Sequence, residues 1–148
     1  MSEPRQLCTF LVDNRLFGVD VTLVQEVIRF QEMTRVPLAP PVIRGLINLR
    51  GQIVTALDMR ARLGLPPRND DSRPMNLVVR TDEGAVSLLV DEIGDVVEVD
   101  ESCRERVPET LTGASRDLIS SVCKLKDRLL LVLDTERTIA EPTAPVLG

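Results

Sequence analysis

The segment Val42–Asp58, VIRGLINLRGQIVTALD, lies over Leu118–Asp134, LISSVCKLKDRLLLVLD, without a gap. Ile43, Leu49, Leu57 and Asp58 meet identical residues, Ile119, Leu125, Leu133 and Asp134, and every apolar position of the first copy meets an apolar residue in the second. Flanking features recur in the same order: V-x-E-V begins at Val24 and again at Val96, and Val-Pro at Val36 and again at Val107. A duplication restricts the chain to two copies of one small unit. Each copy, at roughly 60–70 residues, is marginal by itself, so the two must share an apolar layer.

The residues available for that layer favour strands. Among 148 residues there is no Trp and no Tyr, and only three Phe, at positions 10, 17 and 30. The core is therefore built from Val, Leu and Ile, whose β-branched members suit a pleated surface. QLCTFLV (Gln6–Val12) and RLFGVDV read as a hairpin around Asp13-Asn14. Val21–Phe30 reads as a short turn leading into a strand, and VPLAPP (Val36–Pro41) is barred from regular structure by its prolines. Two strands follow around an Arg50-Gly51 turn, with Asp58 as the N-cap of a short helix and Gly64 as its left-handed end. After the polar, proline-bounded stretch 66–74 the pattern restarts: a hairpin turning at Asp82–Gly84, then IGDVVEVD, an irregular segment, a second strand pair, and TERTI as a helical end. Five short twisted strands per unit close most economically into a small barrel, which removes exposed edges. The predicted organisation is one domain over 1–148, with a subdomain at about 6–65, a linker at 66–74, a second subdomain at about 75–139, and a frayed tail at 140–148.

Composition excludes several functions. The net charge of −5 and the shortage of aromatics argue against nucleic acid, which calls for basic surface and stacking platforms. With no histidine, the commonest general base and metal ligand is missing, and with it any serine triad or Cys-His dyad within the chain. Cys8, Cys103 and Cys123 show no C-x-x-C spacing and read as reduced thiols of a cytoplasmic protein. The longest apolar run, Leu129–Leu133, is far too short for a membrane span, and MSEPRQLC is no secretion signal. No cofactor is expected.

The overlay also separates what the copies share from what they do not. Arg44, Gly45, Asn48, Arg50 and Gly51 face Ser120, Ser121, Lys124, Lys126 and Asp127. A fold requirement is expected in both copies, so these five residues read as a site carried by the first. Glu98 sits in the second V-x-E-V where Glu26 sits in the first, which makes Glu26 alone the more structural of the two charges. Val24, Val27, Val96 and Val99 read as core, or as the lining of an apolar groove between the units that accepts an amphipathic helix.

FGVDVTLVQEV, then VPLAPPVIRGLINLRGQIVTALDMR, then LLVDEIGDVVEV, resemble the CheW family of chemotaxis coupling proteins, over about Gln6 to Ile139. The proline-rich loop, R-G, N-L-R-G, apolar strand and L-D-x-R end are the specific part. Thr55 stands where the family often has proline, a change expected to be neutral. The resemblance implies an all-β fold of two SH3-like five-stranded β-barrels around a shared apolar core, and a non-enzymatic adaptor. It implies as partners the cytoplasmic tip of methyl-accepting chemoreceptors, the regulatory domain of a CheA-type histidine kinase and further CheW copies. The adaptor is then cytoplasmic and recruited to membrane-associated arrays without inserting into the membrane. Family coupling positions fall on Val24, Glu26, Gly45 and Arg50, with the arginine paired to the V-x-E glutamate, a geometry suited to a bidentate guanidinium–carboxylate contact. The alternative of another class is a metal-binding protein or enzyme using Asp91, Glu92 and Asp95, although no Gly-rich calcium loop accompanies them.

Overall fold

Asp13 and Asn14 both take positive φ, 53° and 62°, and so close the first hairpin, β1 (Arg5–Val12) and β2 (Arg15–Asp20), with a two-residue turn. Asp20 then caps a single 3₁₀ turn at Val21–Leu23 by accepting a hydrogen bond from Thr22 N at 2.9 Å. The chain continues into β3 (Val24–Ile28), β4 (Ile43–Leu49), β5 (Gln52–Asp58) and α1 (Met59–Arg62). Asp58 is the N-cap of α1, and Gly64 beyond it takes φ 71°. There follow β6 (Met75–Thr81), β7 (Gly84–Val90) and β8 (Glu92–Val99). A second Asp-capped 3₁₀ turn, Glu101–Cys103, leads to β9 (Arg104–Glu105), α2 (Ala114–Leu118), β10 (Ile119–Lys124), β11 (Leu129–Leu133) and α3 (Thr135–Ile139). The computed structural model describes residues 5–68, 73–82, 84–109 and 114–140. The expected tail beyond Ala140 lies outside them. The all-β expectation, with short helical turns, holds.

Among the described residues the strands form two sheets, ordered β8-β1-β2-β11-β10-β9 and β3-β6-β7-β5-β4. Replacing β8, β1, β2, β11 and β10 by β3, β6, β7, β5 and β4 turns the first order into the second. The register obeys the same exchange: parallel Leu131↔Phe17 corresponds to Thr55↔Val86, and Glu105↔Val122 to the bridge Thr34↔Leu46. The duplication is thus present in the pairing as well as in the residues.

Sheet membership nevertheless departs from the division at 66–74. The five-stranded sheet is the continuous stretch β3 to β7, while the six-stranded sheet joins the first hairpin to the last four strands. Each copy's opening hairpin pairs with strands of the other copy, and the expected linker connects two strands of one sheet. Among the described residues the chain passes between sheets at two places, the Val21–Leu23 turn and Asp91. The physical reason is the hairpin's apolar surface: β1 and β2 bury Phe10, Phe17, Val12 and Val19 completely, against residues of both halves. These side chains share one cluster with Leu57, Leu77, Leu88, Leu131 and Leu133, so the core lies between the sheets. Phe10 and Phe17 stack with ring centroids 5.9 Å apart.

Pairing also corrects the V-x-E-V equivalence. Val27 pairs with Leu77 and Val96 with Cys8, and Leu77 and Cys8 are equivalent residues of the two hairpins. VQEVI therefore corresponds to IGDVV, and the counterpart of Glu26 is Asp95 rather than Glu98. Strand pairing sets this register, and a short valine pattern cannot distinguish neighbouring offsets.

Candidate functional site

The β4–β5 hairpin closes with Leu49 opposite Gln52, leaving Arg50 and Gly51 as a two-residue turn with φ of 51° and 88°. Such turns need positive φ at both central positions, and Asn, Asp or Gly usually fills the first. Gly51 meets the requirement without strain, and Asn48 accepts a hydrogen bond from Gly51 N at 2.8 Å. Arg50 is a poor residue for the backbone it occupies. Its identity is explained by what its side chain does.

That side chain reaches β3. Arg50 Nη1 donates to Glu26 Oε2 at 2.9 Å and Nη2 to Glu26 Oε1 at 2.8 Å, a bidentate pair. The guanidinium side chain is 78% exposed and the carboxylate side chain 18%, so the pair presents its cationic half outward. Hydrogen bonding from Arg50 holds the Glu26 carboxyl below its usual range, and Glu26 in turn raises the guanidinium. In the other copy, no ion pair joins Asp95 to Lys126 among the described residues.

Not all five residues singled out by the overlay belong to such a site. A Cβ at Gly45 would lie 2.8 Å from Thr34 O and 3.0 Å from Met33 Cβ. Thr34 is held there by reciprocal backbone hydrogen bonds to Leu46, both 2.8 Å. Gly45 is therefore a close-packing glycine, and Asn48 and Gly51 are turn residues. The overlay concealed this because the second copy builds the same places with Ser121, Lys124 and Asp127. Arg44 is exposed on β4, and Arg50 and Glu26 form the remaining charged pair. Val24 packs against the shared core.

None of the four valines read as groove lining borders the apolar cleft beside β5. A cleft of about 960 Å³ lies beside β4, β5, β7 and α3, its apolar wall formed by Leu23, Ile43, Ile53, Leu57, Val86 and Ile139. Val27 and Val96 are exposed elsewhere and Val99 is buried. Alternation along β5 carries the signal: Val54 and Ala56 are buried, while Ile53, on the opposite face, is 61% exposed.

The acidic alternative meets a different arrangement. Asp91 accepts hydrogen bonds from Arg60 Nη2 at 2.7 Å, Arg68 Nη2 at 3.0 Å and Asp13 N at 2.7 Å. Burial alone would raise this carboxyl, but those hydrogen bonds outweigh it and hold the group below the usual aspartate range. Asp91 is committed to two arginines at a point where the chain changes sheets. Glu92 and Asp95 are exposed on β8. Among the described residues no helix is long and apolar enough to cross a membrane.

Comparison with known proteins agrees with this architecture. The family model for the CheW-like domain matches residues 6–143. The chemotaxis protein CheW of Bacillus subtilis is 31% identical over 134 residues, covering 90% of this chain and 86% of that protein. That of Thermotoga maritima is 28% identical, covering 93% and 89%. The crystal structure of the scaffolding protein TtCheW from Thermoanaerobacter tengcongensis superposes with a TM-score of 0.78 at 27% identity, covering 88% of this chain and 89% of that one. With its two related sheets and an N-L-R-G turn beside them, this chain belongs to the family of CheW-like domains.

Proposed function

We propose that this chain is a non-enzymatic chemotaxis scaffold that couples the cytoplasmic tip of transmembrane chemoreceptors to the regulatory domain of a CheA-type histidine kinase. The observation that carries the reading is the Arg50–Glu26 pair: an arginine kept on a left-handed turn where another residue would be more comfortable, braced by a carboxylate and open to solvent. Strain of this kind supports a role beyond folding. The cleft walled by Leu23, Ile43 and Ile53 supports docking of an amphipathic helix from a receptor hairpin. Membership in the CheW-like family supports the adaptor role, cytoplasmic residence, recruitment to membrane-associated arrays, and further copies of the same family as neighbours.

The test is reconstitution. Purified protein is mixed with kinase and receptor-bearing membranes, and receptor-dependent kinase activity is measured alongside co-sedimentation. Wild type supports both, and Arg50→Ala keeps its fold but loses receptor-dependent activity. Normal coupling by Arg50→Ala overturns the site, and absence of binding by wild type to either partner overturns the function.

A further inference from the structure

Two of the three cysteines are neighbours in the fold. Cys103 ends the second 3₁₀ turn, and the next residue, Arg104, is the cross-strand partner of Cys123 on β10. Cys123 is buried in a satellite apolar cluster with Leu7, Val99, Leu130 and Val132, and Cys103 packs against the same cluster from a partly exposed position. Both cysteines thus face one apolar cluster. Cys103 Sγ donates to Asp100 O at 3.2 Å, which ties its side chain to the 3₁₀ turn. A cleft of about 100 Å³ between Arg5 and Arg104 borders Cys123. Cys8 is buried separately, in the core between the sheets.

We propose that Cys103 and Cys123 form a modification site, a dithiol that hydroperoxides oxidise to an intramolecular disulfide. A residue adjoining a cross-strand partner lies within the Cα separation a disulfide spans, about 4.4–6.8 Å. Cys103, the more accessible sulfur, attacks the peroxide O–O bond. Its sulfur gains an oxygen as sulfenic acid, and the peroxide leaves as an alcohol or water. The Cys123 sulfur then attacks the sulfenic sulfur. The S–S bond forms, the S–O bond breaks, and the hydroxyl leaves as water with the Cys123 proton. One hydroperoxide is reduced and two thiols are oxidised. The order suits their surroundings: burial, then contact with Cys103, pushes the Cys123 thiol up to about 11, so Cys123 stays protonated until a sulfenic acid stands beside it. The disulfide pins the short edge strand β9 to β10.

The test exposes the folded full-length chain to hydrogen peroxide, alkylates the remaining thiols, digests without reductant and maps peptides by mass spectrometry. The expected product is a Cys103–Cys123 cross-linked peptide that dithiothreitol reverses, with Cys8 still a thiol after unfolding. Cys103→Ser abolishes the cross-link and Cys8→Ser leaves it unchanged. Cys103 is partly exposed, so its variant stays informative even if Cys123→Ser fails to fold. Three results overturn the proposal: no cross-linked peptide, Cys103 over-oxidised while Cys123 remains a thiol, or cross-links between chains in place of the internal one.

Discussion

Arg50 and Glu26 stand at opposite ends of the five-stranded sheet, one at the tip of the β4–β5 hairpin and the other on β3, and two hydrogen bonds of 2.9 and 2.8 Å join them. The pair thus links side chains of the sheet's two outer strands, β3 and the β4–β5 hairpin. An exposed pair contributes little to stability, since water and salt screen it. Arg50→Ala and Glu26→Ala should therefore unfold at nearly the wild-type temperature while both lose receptor-dependent kinase activity. Arg50→Lys keeps the charge but loses the planar fork, and its coupling should fall between wild type and Arg50→Ala. Circular dichroism melts and the reconstituted kinase assay read the two properties separately.

Gly45 should behave in the opposite way. Gly45→Ala places a methyl group against Thr34 O and should destabilise the protein by about 1–3 kcal/mol, the range of an overpacked site. Urea denaturation measures this. The amides of Thr34 and Leu46 should exchange with solvent faster, because their mutual hydrogen bonds are pushed apart. A larger residue there, such as Gly45→Arg, loses coupling through this distortion, so its failure alone does not locate a partner.

Asp91 supplies a pH dependence. Its folded-state carboxyl is held below the value of an unfolded aspartate, about 3.9. The stabilisation is therefore complete above that value and is lost as pH falls through the folded one. Asp91→Asn should flatten the acid side of the stability–pH curve. Asp91→Ala should cost about 2–4 kcal/mol at neutral pH, because Arg60 and the largely buried Arg68 lose their shared partner. Urea midpoints measured from pH 3 to pH 7 check both.

The exchanged hairpins predict how a cut chain behaves. A nick within the 66–74 stretch leaves two fragments, each holding strands of both sheets. Neither should fold alone, and mixing them should restore native circular dichroism and a one-to-one complex by size-exclusion chromatography. A fragment that folds by itself contradicts the shared core.

Much of this was legible in the sequence, for reasons that differ residue by residue. The hairpin turns at Asp13-Asn14 and Arg50-Gly51, the Asp58 cap and the Gly64 terminus are local, and local chemistry writes them into short stretches. The duplication was legible because apolar positions of a sheet repeat with its pairing. What escaped was long-range. Two similar hairpins carry no mark saying which copy's strands each will join, so each half read as pairing its strands internally. Gly45 escaped for the same reason, since its crowding comes from Met33 and Thr34, which follow a loop and a separate strand. Of the candidate site, Arg50 and Glu26 were visible as a pair through the family motif. The cleft was not, because recognising Ile53 as outward-facing required knowing that Val54 and Ala56 point inward.

The two crossings between sheets acquire a mechanical meaning once their surroundings are compared. One is the Val21–Leu23 turn capped by Asp20, and the other is Asp91, clamped by Arg60 and Arg68. Among the described residues, any tension carried along the backbone from one sheet to the other passes through one of these two short segments, each held by an aspartate carboxylate.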